Sequence, residues 1–381
     1  TAIGDYGGML KNIAPAELAA SVVREAVTRA NIDPEEVGHL VFGNVIHGEA
    51  RDMYVSRLAG INGGLPQHTA ALTVNRLCGS GMQAIVSASQ NILLGDADVA
   101  VAGGVESMSR GGYLLPSLRW GKRMNDSGAV DMMVGALTDP FDNAHMGVTA
   151  ENIAVKWGVS REEQDQFAME SHHRASNAIK NGYFKEQILP VEIKSRQGVT
   201  VFDTDEHPRE NISIKDLAKL RAVFQKDGTV TAGNASGIND GAAAVVLMER
   251  DVAKANGLKP LARLISYGHA GVDPKFMGIG PVPAVYSALK RANLIITDMD
   301  VIESNEAFAV QACAVAKELH FDSAKTNPNG GAVALGHAIG ATGCILTVKA
   351  IYELHRCGGR YALVTMCIGG GQGIAAVFER L

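Results

Sequence analysis

The sequence predicts an α/β fold in which one unit of helices and buried strands occurs twice, with a long segment inserted into the first copy. "RANIDPEEVGHLVFGN", which ends at Asn44, resembles "RANLIITDMDVIESN", which ends at Asn305. "GSGMQAIVSASQNILLGDADVAVAGG" parallels "GATGCILTVKAIYELHRCGGRYALVTMCIGG" at nearly the same separation, roughly 260 residues. The alternative is chance similarity between α/β patterns, because the identical residues are few.

Each copy alternates helices with nearly continuous apolar strands such as "DVAVAGG" and "YALVTMCIGG", a pattern typical of sheets covered on both faces. The segment between the copies carries more charge and includes "SREEQDQFAMESHHRASNAIKNG", a predicted helix capped by Ser160 and stopped at Gly182. We therefore predict a first core half over residues 1–110 that resumes at about 237–258. An inserted domain spans 111–236, and a second core half spans 259–381.

Composition limits the possible partners. The chain has 381 residues, of which 46% are hydrophobic and 20% charged, and its net charge is −5. This charge does not favour nucleic acid or an anionic membrane as a binding partner. Its five cysteines form no CxxC pair and no metal-ligand spacing, which indicates neither a disulfide framework nor a metal site. With no recognisable signal peptide, we expect a reducing, cytoplasmic location.

The uncharged span at residues 361–378 approaches the length of a membrane helix. Its centre, residues 369–373, reads Gly-Gly-Gly-Gln-Gly, and such a run breaks a helix. The pattern therefore predicts two short buried strands joined by a tight turn.

Cys78 lies in "NRLCGSGMQA", at or just before the predicted start of a helix that Gly95 ends. A helix N-terminus favours a thiolate and offers free N–H groups to an oxyanion. Most buried free cysteines are packing residues, but Gly79 and Gly81 would allow a substrate to approach the backbone. Cys78 is therefore a candidate nucleophile.

His337, in "GGAVALGHAIGATG", precedes the equivalent helix of the second copy. A histidine in a glycine-rich loop is more often a structural hydrogen-bonding residue than a base. If the two copies pack about a pseudo-two-fold axis, however, Cys78 and His337 come from equivalent helix N-termini and can meet. A Cys–His pair is the usual means of activating a thiol.

Two further groups follow predicted strands. Asn305 and Glu306, in "ESNEAFAVQA", come at a strand end, where a capping asparagine is the simpler reading. Cys367 supplies a second thiol, followed by the N–H groups of Ile368 and Gly369. One cysteine to hold an acyl group and another to move a proton would make a two-step acyl transfer.

Taken together, these residues and blocks resemble the thiolase family, short-chain type, over the whole chain. The blocks that carry the resemblance are "NRLCGSGMQA", "GGVESMS", "HMGVTAEN", "GNASGINDGAAA", "GIGPVPA", "ESNEAFA", "NPNGGAVALGH" and "TMCIGGGQG". The resemblance implies a duplicated α-β-α-β-α layered fold with an inserted loop domain. It also implies an acyltransferase that condenses acetyl-CoA with acyl-CoA and cleaves short-chain 3-ketoacyl-CoA with coenzyme A, without a permanently bound cofactor or metal.

The resemblance also implies roles for individual residues. Cys78 would carry the acyl group after activation by His337, and Cys367 would act as the acid and base at the α-carbon. His337 and a water held by Asn305 would form one oxyanion hole. The N–H groups of Cys78 and Gly369 would form the other.

The inserted domain would hold coenzyme A and assemble a homotetramer. The positions that match the family's substrate and coenzyme A contacts are His145, Met146, Ala232, Ser236, Phe224, Leu137, Met277, Ala307 and Phe308. Arg209 is a candidate for the nucleotide phosphates. The basic cluster Arg119, Lys122 and Arg123 is another, although such a charge run is more often a solvated face.

Two departures from the family are visible, and several alternatives stay open. Ala338 stands where the family usually has proline, which leaves the stiffness of the His337 loop in question, and the family's first strand would lie upstream of Thr1. A preference for medium-chain substrates is the nearest alternative. A decarboxylating ketoacyl synthase, a non-catalytic acyl-CoA-binding relative and a papain-type protease each leave Asn305, Cys367 or the duplication unexplained.

Overall fold

Two larger sheets carry the fold, one for each copy of the predicted repeat. The structure is a computed structural model and describes residues 1–196 and 198–381. The first 110 residues contain β1 (Gly4–Asp5), α1 (Pro15–Ala30), β2 (His39–Gly43), α2 (Val55–Gly63), β3 (Ala70–Val74), α3 (Ser80–Leu94) and β4 (Val99–Ser107). Apolar side chains of α1 pack on the sheet's outer face together with Phe42 and Val101.

The middle of the chain adds smaller elements and then returns to the first sheet. They are β5 (Tyr113–Leu114), β6 (Val130–Asp131), α4 (Met132–Ala136), α5 (Met146–Trp157), α6 (Arg161–Lys180), β7 (Val191–Ser195), β8 (Gly198–Phe202) and α7 (Ile214–Ala218). β5 pairs with β6 and β7 with β8, whereas β9 (Asn239–Met248) joins β1 and β4. The exact domain boundaries stay a prediction.

The rest of the chain builds the second sheet. Its elements are α8 (Arg250–Ala255), β10 (Ala262–Gly271), α9 (Pro281–Ala292), β11 (Val301–Ser304), α10 (Ala309–Leu319), α11 (Ala332–Leu335), α12 (Thr342–Cys357), β12 (Tyr361–Ile368) and β13 (Gln372–Arg380). The turn between β12 and β13 contains Gly370 and Gly371, both with positive φ. The expected pair of strands around a glycine turn is therefore confirmed.

The strand orders confirm the duplication. The first sheet runs β1-β9-β4-β2-β3 and the second β10-β13-β12-β11. In each sheet the first three strands in this order pair antiparallel. The next pair is parallel in both sheets, β4 with β2 in the first and β12 with β11 in the second. A bridge between Ile302 and Thr326 lies in the position that β3 takes in the first sheet. Asn31 and Asn293, both left-handed, end the equivalent helices α1 and α9.

Five layers result from this packing. α1 and α9 cover the outer faces of the two sheets, and α3 and α12 contact each other between them. The two central helices approach closely because glycines face each other. A Cβ added at Gly343 would lie 2.2 Å from the nitrogen of Met82, and one at Gly81 would lie 2.8 Å from that of Cys344.

Local signals place the other elements as the sequence predicts. Ser160 caps α6 and accepts from the N–H of Glu163, while Gly182 follows the helix with a positive φ. α3 begins at Ser80, two residues after Cys78, and ends at Gly95. Across the described ranges 1–196 and 198–381, none of the helices combines the length and apolar character needed to span a membrane.

Candidate active site

Cys78 lies at a sharp turn between β3 and α3. The preceding Leu77 has a φ of 46°, a left-handed conformation that is uncommon for leucine and is often found at functional turns. Burial raises the pKa of the Cys78 thiol to about 11, while the backbone N–H groups of Gly369 and of Cys78 itself act in the opposite direction. The backbone of Gly369, from the other half of the protein, therefore lies near this sulfur.

His337 is almost fully buried in the loop between α11 and α12, with 5% of its surface exposed. Its Nδ1 lies 2.7 Å from Oγ1 of Thr342, whose hydroxyl donates to the carbonyl of Ala338 at 2.8 Å. Because that hydroxyl proton is already used, Nδ1 must be the donor to Thr342, which leaves Nε2 unprotonated. Burial lowers the pKa of His337 to about 4, so the ring is a neutral base.

Asn305 follows β11 and faces the same ring. Its Nδ2 lies 3.4 Å from Nε2 of His337, and its backbone N–H donates to the carbonyl of Thr365 on β12. The side chain is buried, and its Oδ1 accepts no hydrogen bond from the described residues. An unpaired buried oxygen is costly, so this atom is available to a water molecule or to a substrate donor.

Cys367 is fully buried near the end of β12. Burial raises the pKa of its thiol far above the ordinary range, and the negative charge of a Cys78 thiolate raises it further. The two sulfurs are thus close enough for each to oppose ionisation of the other. Cys78, Cys367 and Gly369 thus lie near one another, and the catalytic roles expected for them stay a prediction.

Most of the predicted coenzyme A contacts lie in one apolar cluster beside Cys367. The cluster includes Met146, Phe224, Met277, Ala307 and Phe308. The ring of Phe224 stacks on that of His145 at 4.7 Å and meets the edge of Phe308 at 6.3 Å. His145 caps α5 by accepting from the N–H of Gly147, and burial lowers the pKa of its ring.

The remaining predicted contacts are more dispersed. Ser236 donates its N–H to the carbonyl of Ala307 at 3.0 Å, which places it beside the cluster, and Ala232 is exposed on the turn before it. Leu137 and Cys78 instead both pack against a buried apolar group formed by Ile46, Met108 and Ile339, as do Met133, Ala136 and Ile238. Arg209 is exposed, and its N–H donates to Nδ1 of His172. Arg119, Lys122 and Arg123 are exposed, as expected of a solvated face.

The sequence analysis does not predict the roles of three residues around the site. Thr342 sets the tautomer of His337, and Asn239 on β9 accepts the N–H of His337 at 2.9 Å. Glu106 on β4 accepts the N–H of Gly340, three residues after His337. Glu106 lies in the quoted block "GGVESMS", but nothing local in the sequence indicates its partner. A groove of about 1270 Å³ runs along β9 and β10 and contains none of the candidate catalytic residues.

Comparisons with known proteins show what the chain is similar to. The family model "Thiolase, N-terminal domain" matches residues 1–251, and "Thiolase, C-terminal domain" matches 258–380. The chain is 66% identical to beta-ketothiolase BktB of Cupriavidus necator, covering 100% of this chain and 97% of that protein. It is also similar to the crystal structure of the Bacillus anthracis acetyl-CoA acetyltransferase (TM-score 0.98, 47% identity, 100% and 96% coverage). Another match is the crystal structure of human mitochondrial 3-ketoacyl-CoA thiolase in complex with CoA (TM-score 0.97, 44% identity, 100% of this chain and 96% of that chain).

The backbone at Ala338 generates a testable prediction. Among the described hydrogen bonds the N–H of Ala338 donates none, whereas its carbonyl accepts from Ala341 and Thr342. Ala338→Pro therefore removes no donor bond and should raise the free energy of unfolding by about 0.4–1 kcal/mol through the unfolded state, with kcat unchanged. Thermal unfolding and steady-state kinetics measure both quantities.

Ala341→Pro is the matched control, because the N–H of Ala341 donates to Ala338 at 2.9 Å. This second variant should be destabilised. A collapse of kcat in Ala338→Pro would show that proline distorts the His337 loop, contrary to the prediction.

Proposed function

This chain belongs to the thiolase family and is an acyltransferase, and we propose that Cys78, His337, Cys367 and Asn305 carry its chemistry through an acyl-cysteine. The reaction is the condensation of acetyl-CoA with an acyl-CoA and, in reverse, thiolysis of a 3-ketoacyl-CoA. The observation that carries the assignment is that the Gly369 backbone and the second thiol, Cys367, both lie close to the Cys78 thiol.

The first half-reaction begins at a neutral thiol and a neutral imidazole. Cys78 gives its proton to Nε2 of His337, and the sulfur attacks the thioester carbonyl carbon. The resulting oxyanion faces the N–H groups of Cys78 and Gly369, donors that are fixed before the reaction and need no reorganisation. When the carbon–sulfur bond to coenzyme A breaks, the leaving thiolate takes the proton of Cys367. The acyl-cysteine then stands beside a Cys367 thiolate and a His337 imidazolium.

The second half-reaction uses that charge pair. Cys367 removes a proton from the α-carbon of a second acetyl-CoA, and the enolate oxygen is stabilised by His337 and by a water held by Asn305. The α-carbon attacks the acyl carbonyl, the bond to Cys78 breaks, and Cys78 recovers its proton from His337. Burial is the main cause of the raised pKa of Cys367, and an acylated Cys78 can no longer add the charge of a thiolate to that effect, which supports this order of events.

Coenzyme A would lie along the apolar cluster beside Cys367. We assign its pantetheine arm to His145, Met146, Ser236 and Ala232, and the acyl thioester to Met277, Ala307 and Phe308. Phe224 and Leu137 would lie near the adenine end, with Arg209 toward the nucleotide phosphates. The stacking of Phe224 on His145 and the burial of Met146 support a preformed apolar wall.

Short acyl chains fit the site best. The apolar group around Cys78, which includes Ile46, Met108 and Ile339, is closely packed and fully or nearly fully buried. An acyl chain on Cys78 would contact this group, and longer chains would have to displace it. The alternative is a medium-chain preference. A non-catalytic acyl-CoA-binding role is disfavoured because all three candidate catalytic side chains are present.

A homotetramer in the cytoplasm completes the proposal, with the segment at residues 111–236 as the loop domain that assembles it. Large apolar side chains in this segment are exposed, among them Leu118, Trp120 and Met124. β3 is an edge strand with Leu72 exposed, and exposed edges and apolar patches favour association. All five cysteines are free thiols, which suits a reducing compartment.

The two half-reactions should separate in Cys367→Ala. Incubation with acetyl-CoA and peptide mass mapping should find the acetyl group on Cys78 in both the wild type and the variant. Condensation by the variant should fall about a thousandfold, because a general base typically supplies this much. Cys313→Ala removes another thiol beside the same cluster and is the matched control, expected to keep condensation. Label on Cys313, Cys344 or Cys357 instead of Cys78 would overturn the assignment.

Chain length is tested by thiolysis of a substrate series. The rates should be highest for acetoacetyl-CoA and 3-ketovaleryl-CoA, decline at 3-ketohexanoyl-CoA and be lowest at 3-ketodecanoyl-CoA, because the buried group around Cys78 resists a longer chain. Rates that peak at 3-ketodecanoyl-CoA would favour the medium-chain alternative.

The oligomeric state is tested by sedimentation velocity. The wild type should sediment as a tetramer, and the pair Leu118→Asp with Trp120→Asp should give smaller particles by placing charge on the assembling surface. Leu93→Asp, which changes an exposed apolar residue of α3 outside the segment at residues 111–236, should leave the tetramer intact. A wild-type monomer at micromolar concentration would contradict the proposal.

A further inference from the structure

Glu106 is a fully buried carboxylate at the end of β4 that contacts both halves of the active-site scaffold. Its Oε1 accepts from Nδ2 of Asn44 and from the N–H of Ile46, each at 3.1 Å. Its Oε2 accepts from the N–H of Val45 at 3.1 Å and from that of Gly340 at 2.9 Å. The first three donors belong to the segment after β2, and the fourth to the loop that carries His337.

The hydrogen bonds favour the ionised form of this carboxylate. All four partners are N–H donors, so neither oxygen faces an acceptor that could receive a carboxyl proton. Burial acts against ionisation and raises the pKa of Glu106 to about 8, while the donors at Ile46, Gly340 and Val45 lower it. Within the described part of the chain no ion pair or hydrogen bond joins Glu106 to a cation, so three backbone N–H groups and the side-chain amide of Asn44 are its only partners.

Close packing makes this contact specific to the loop of His337. A Cβ added at Gly340 would lie 2.6 Å from Oε2 of Glu106, and one at Gly104 would lie 2.1 Å from the carbonyl oxygen of Gly340. A Cβ at Gly43 would meet both that oxygen, at 2.8 Å, and the nitrogen of Gly81, also at 2.8 Å. The ends of β2 and β4 thus form a glycine-lined surface on which the starts of α3 and α12 rest together.

We propose that Glu106 is a positioning residue of the thiolase reaction, holding the His337 loop at Gly340 against the end of β2 and so setting the imidazole relative to the Cys78 thiol. The proposal rests on the function given above for Cys78 and His337. Glu106 touches neither substrate nor the reacting atoms. It acts through the backbone, where the position of a base determines the rate far more than the affinity for substrate.

The charge of Glu106 has a second effect on the same site. Burial is the main cause of the raised pKa of Cys78, and the charge of Glu106, present above its own raised pKa of about 8, further opposes formation of a thiolate there. Asp240 on β9 is the other carboxyl that faces Glu106. His337 lies on the loop that Glu106 holds, and it is neutral. The carboxylate therefore combines a mechanical role with an electrostatic one, and two substitutions can separate them.

Glu106→Gln and Glu106→Asp make the test. In Glu106→Gln the charge is lost, and the amide NH₂ faces two N–H donors in place of an acceptor. In Glu106→Asp the charge stays, but the shorter side chain cannot reach Gly340 and the Ile46 segment at once. In both, kcat should fall by about tenfold to a hundredfold, as for a misplaced catalytic group. The KM for acetyl-CoA should stay within about twofold.

Alkylation of Cys78 by iodoacetamide across a pH series, followed by mass mapping, gives a readout that a purely structural role would not move. The pH at which alkylation of Cys78 is half-maximal should be lower in Glu106→Gln, because the negative charge is lost. It should stay near the wild-type value in Glu106→Asp, which keeps the charge. Glu151→Gln is the matched control, since Glu151 is also a buried carboxylate that accepts only from N–H and O–H donors, at Thr229 and Val230. It should lower the thermal midpoint without changing the alkylation profile.

Wild-type kcat in Glu106→Asp, or a Glu106→Gln alkylation midpoint equal to that of the wild type, would overturn the proposal. If Glu106→Gln does not fold, Glu106→Asp alone decides through its kcat. Failure of the proposed function looks different, because the wild-type protein itself would then acquire no acetyl group on Cys78.

Discussion

The close approach of α3 and α12 is the constraint on which the rest of the structure depends. Side chains at Gly81 and Gly343 would collide with the backbone of the opposite helix, at 2.8 and 2.2 Å, so the crossing exists only because both positions lack a Cβ. The crossing brings two helix N-termini to the middle of the protein. Cys78 precedes one of them and His337 the other, and neither element could supply both a nucleophile and a base alone.

The three candidate reacting groups of this site are shielded from solvent and uncharged at rest. Burial raises the pKa of Cys78 and of Cys367 and lowers that of His337, so near neutral pH all three are neutral. In the proposed mechanism charge appears only during the reaction, where the N–H groups of Gly369 and Cys78 receive it. In a water-excluded site such donors act more strongly than in solvent, which is the advantage gained from the cost of burying the thiols.

The sequence predicts the periodic features of this protein and misses the contacts between distant segments. The helix after Cys78, the glycine turn after Cys367 and the repeated strand order follow from local patterns, because glycine stops and apolar runs act within a few residues. The roles of Thr342, Asn239 and Glu106 could not be predicted in this way. Glu106 and Gly340 are separated by 234 residues, and a buried glutamate has no local signature for the backbone group it binds.

The contacts at the ends of β12 and β4 differ in kind, since one is apolar and the other polar. The polar contact makes the stability of the folded protein depend on pH. At the end of β12, Ile368 packs against Gly79, where a Cβ would lie 2.5 Å from its Cδ1. At the end of β4, the polar Glu106 holds Gly340 instead.

The pKa of Glu106 is raised from 4.5 to about 8 in the folded protein. The folded state therefore binds its proton more tightly than the unfolded state, and this contribution to stability is lost as the pH rises from about 4.5 through 8. The lowered pKa of His337 has the opposite sign: stability falls as the pH drops from about 6.5 to 4. A hydrophobic contact like that of Ile368 would avoid the loss of stability at high pH that Glu106 causes. It could not, however, orient a backbone N–H group as a hydrogen bond does. The carboxylate gives the His337 loop a defined orientation, which the apolar contact at the nucleophile's helix does not need, because there the turn at Leu77 already orients Cys78.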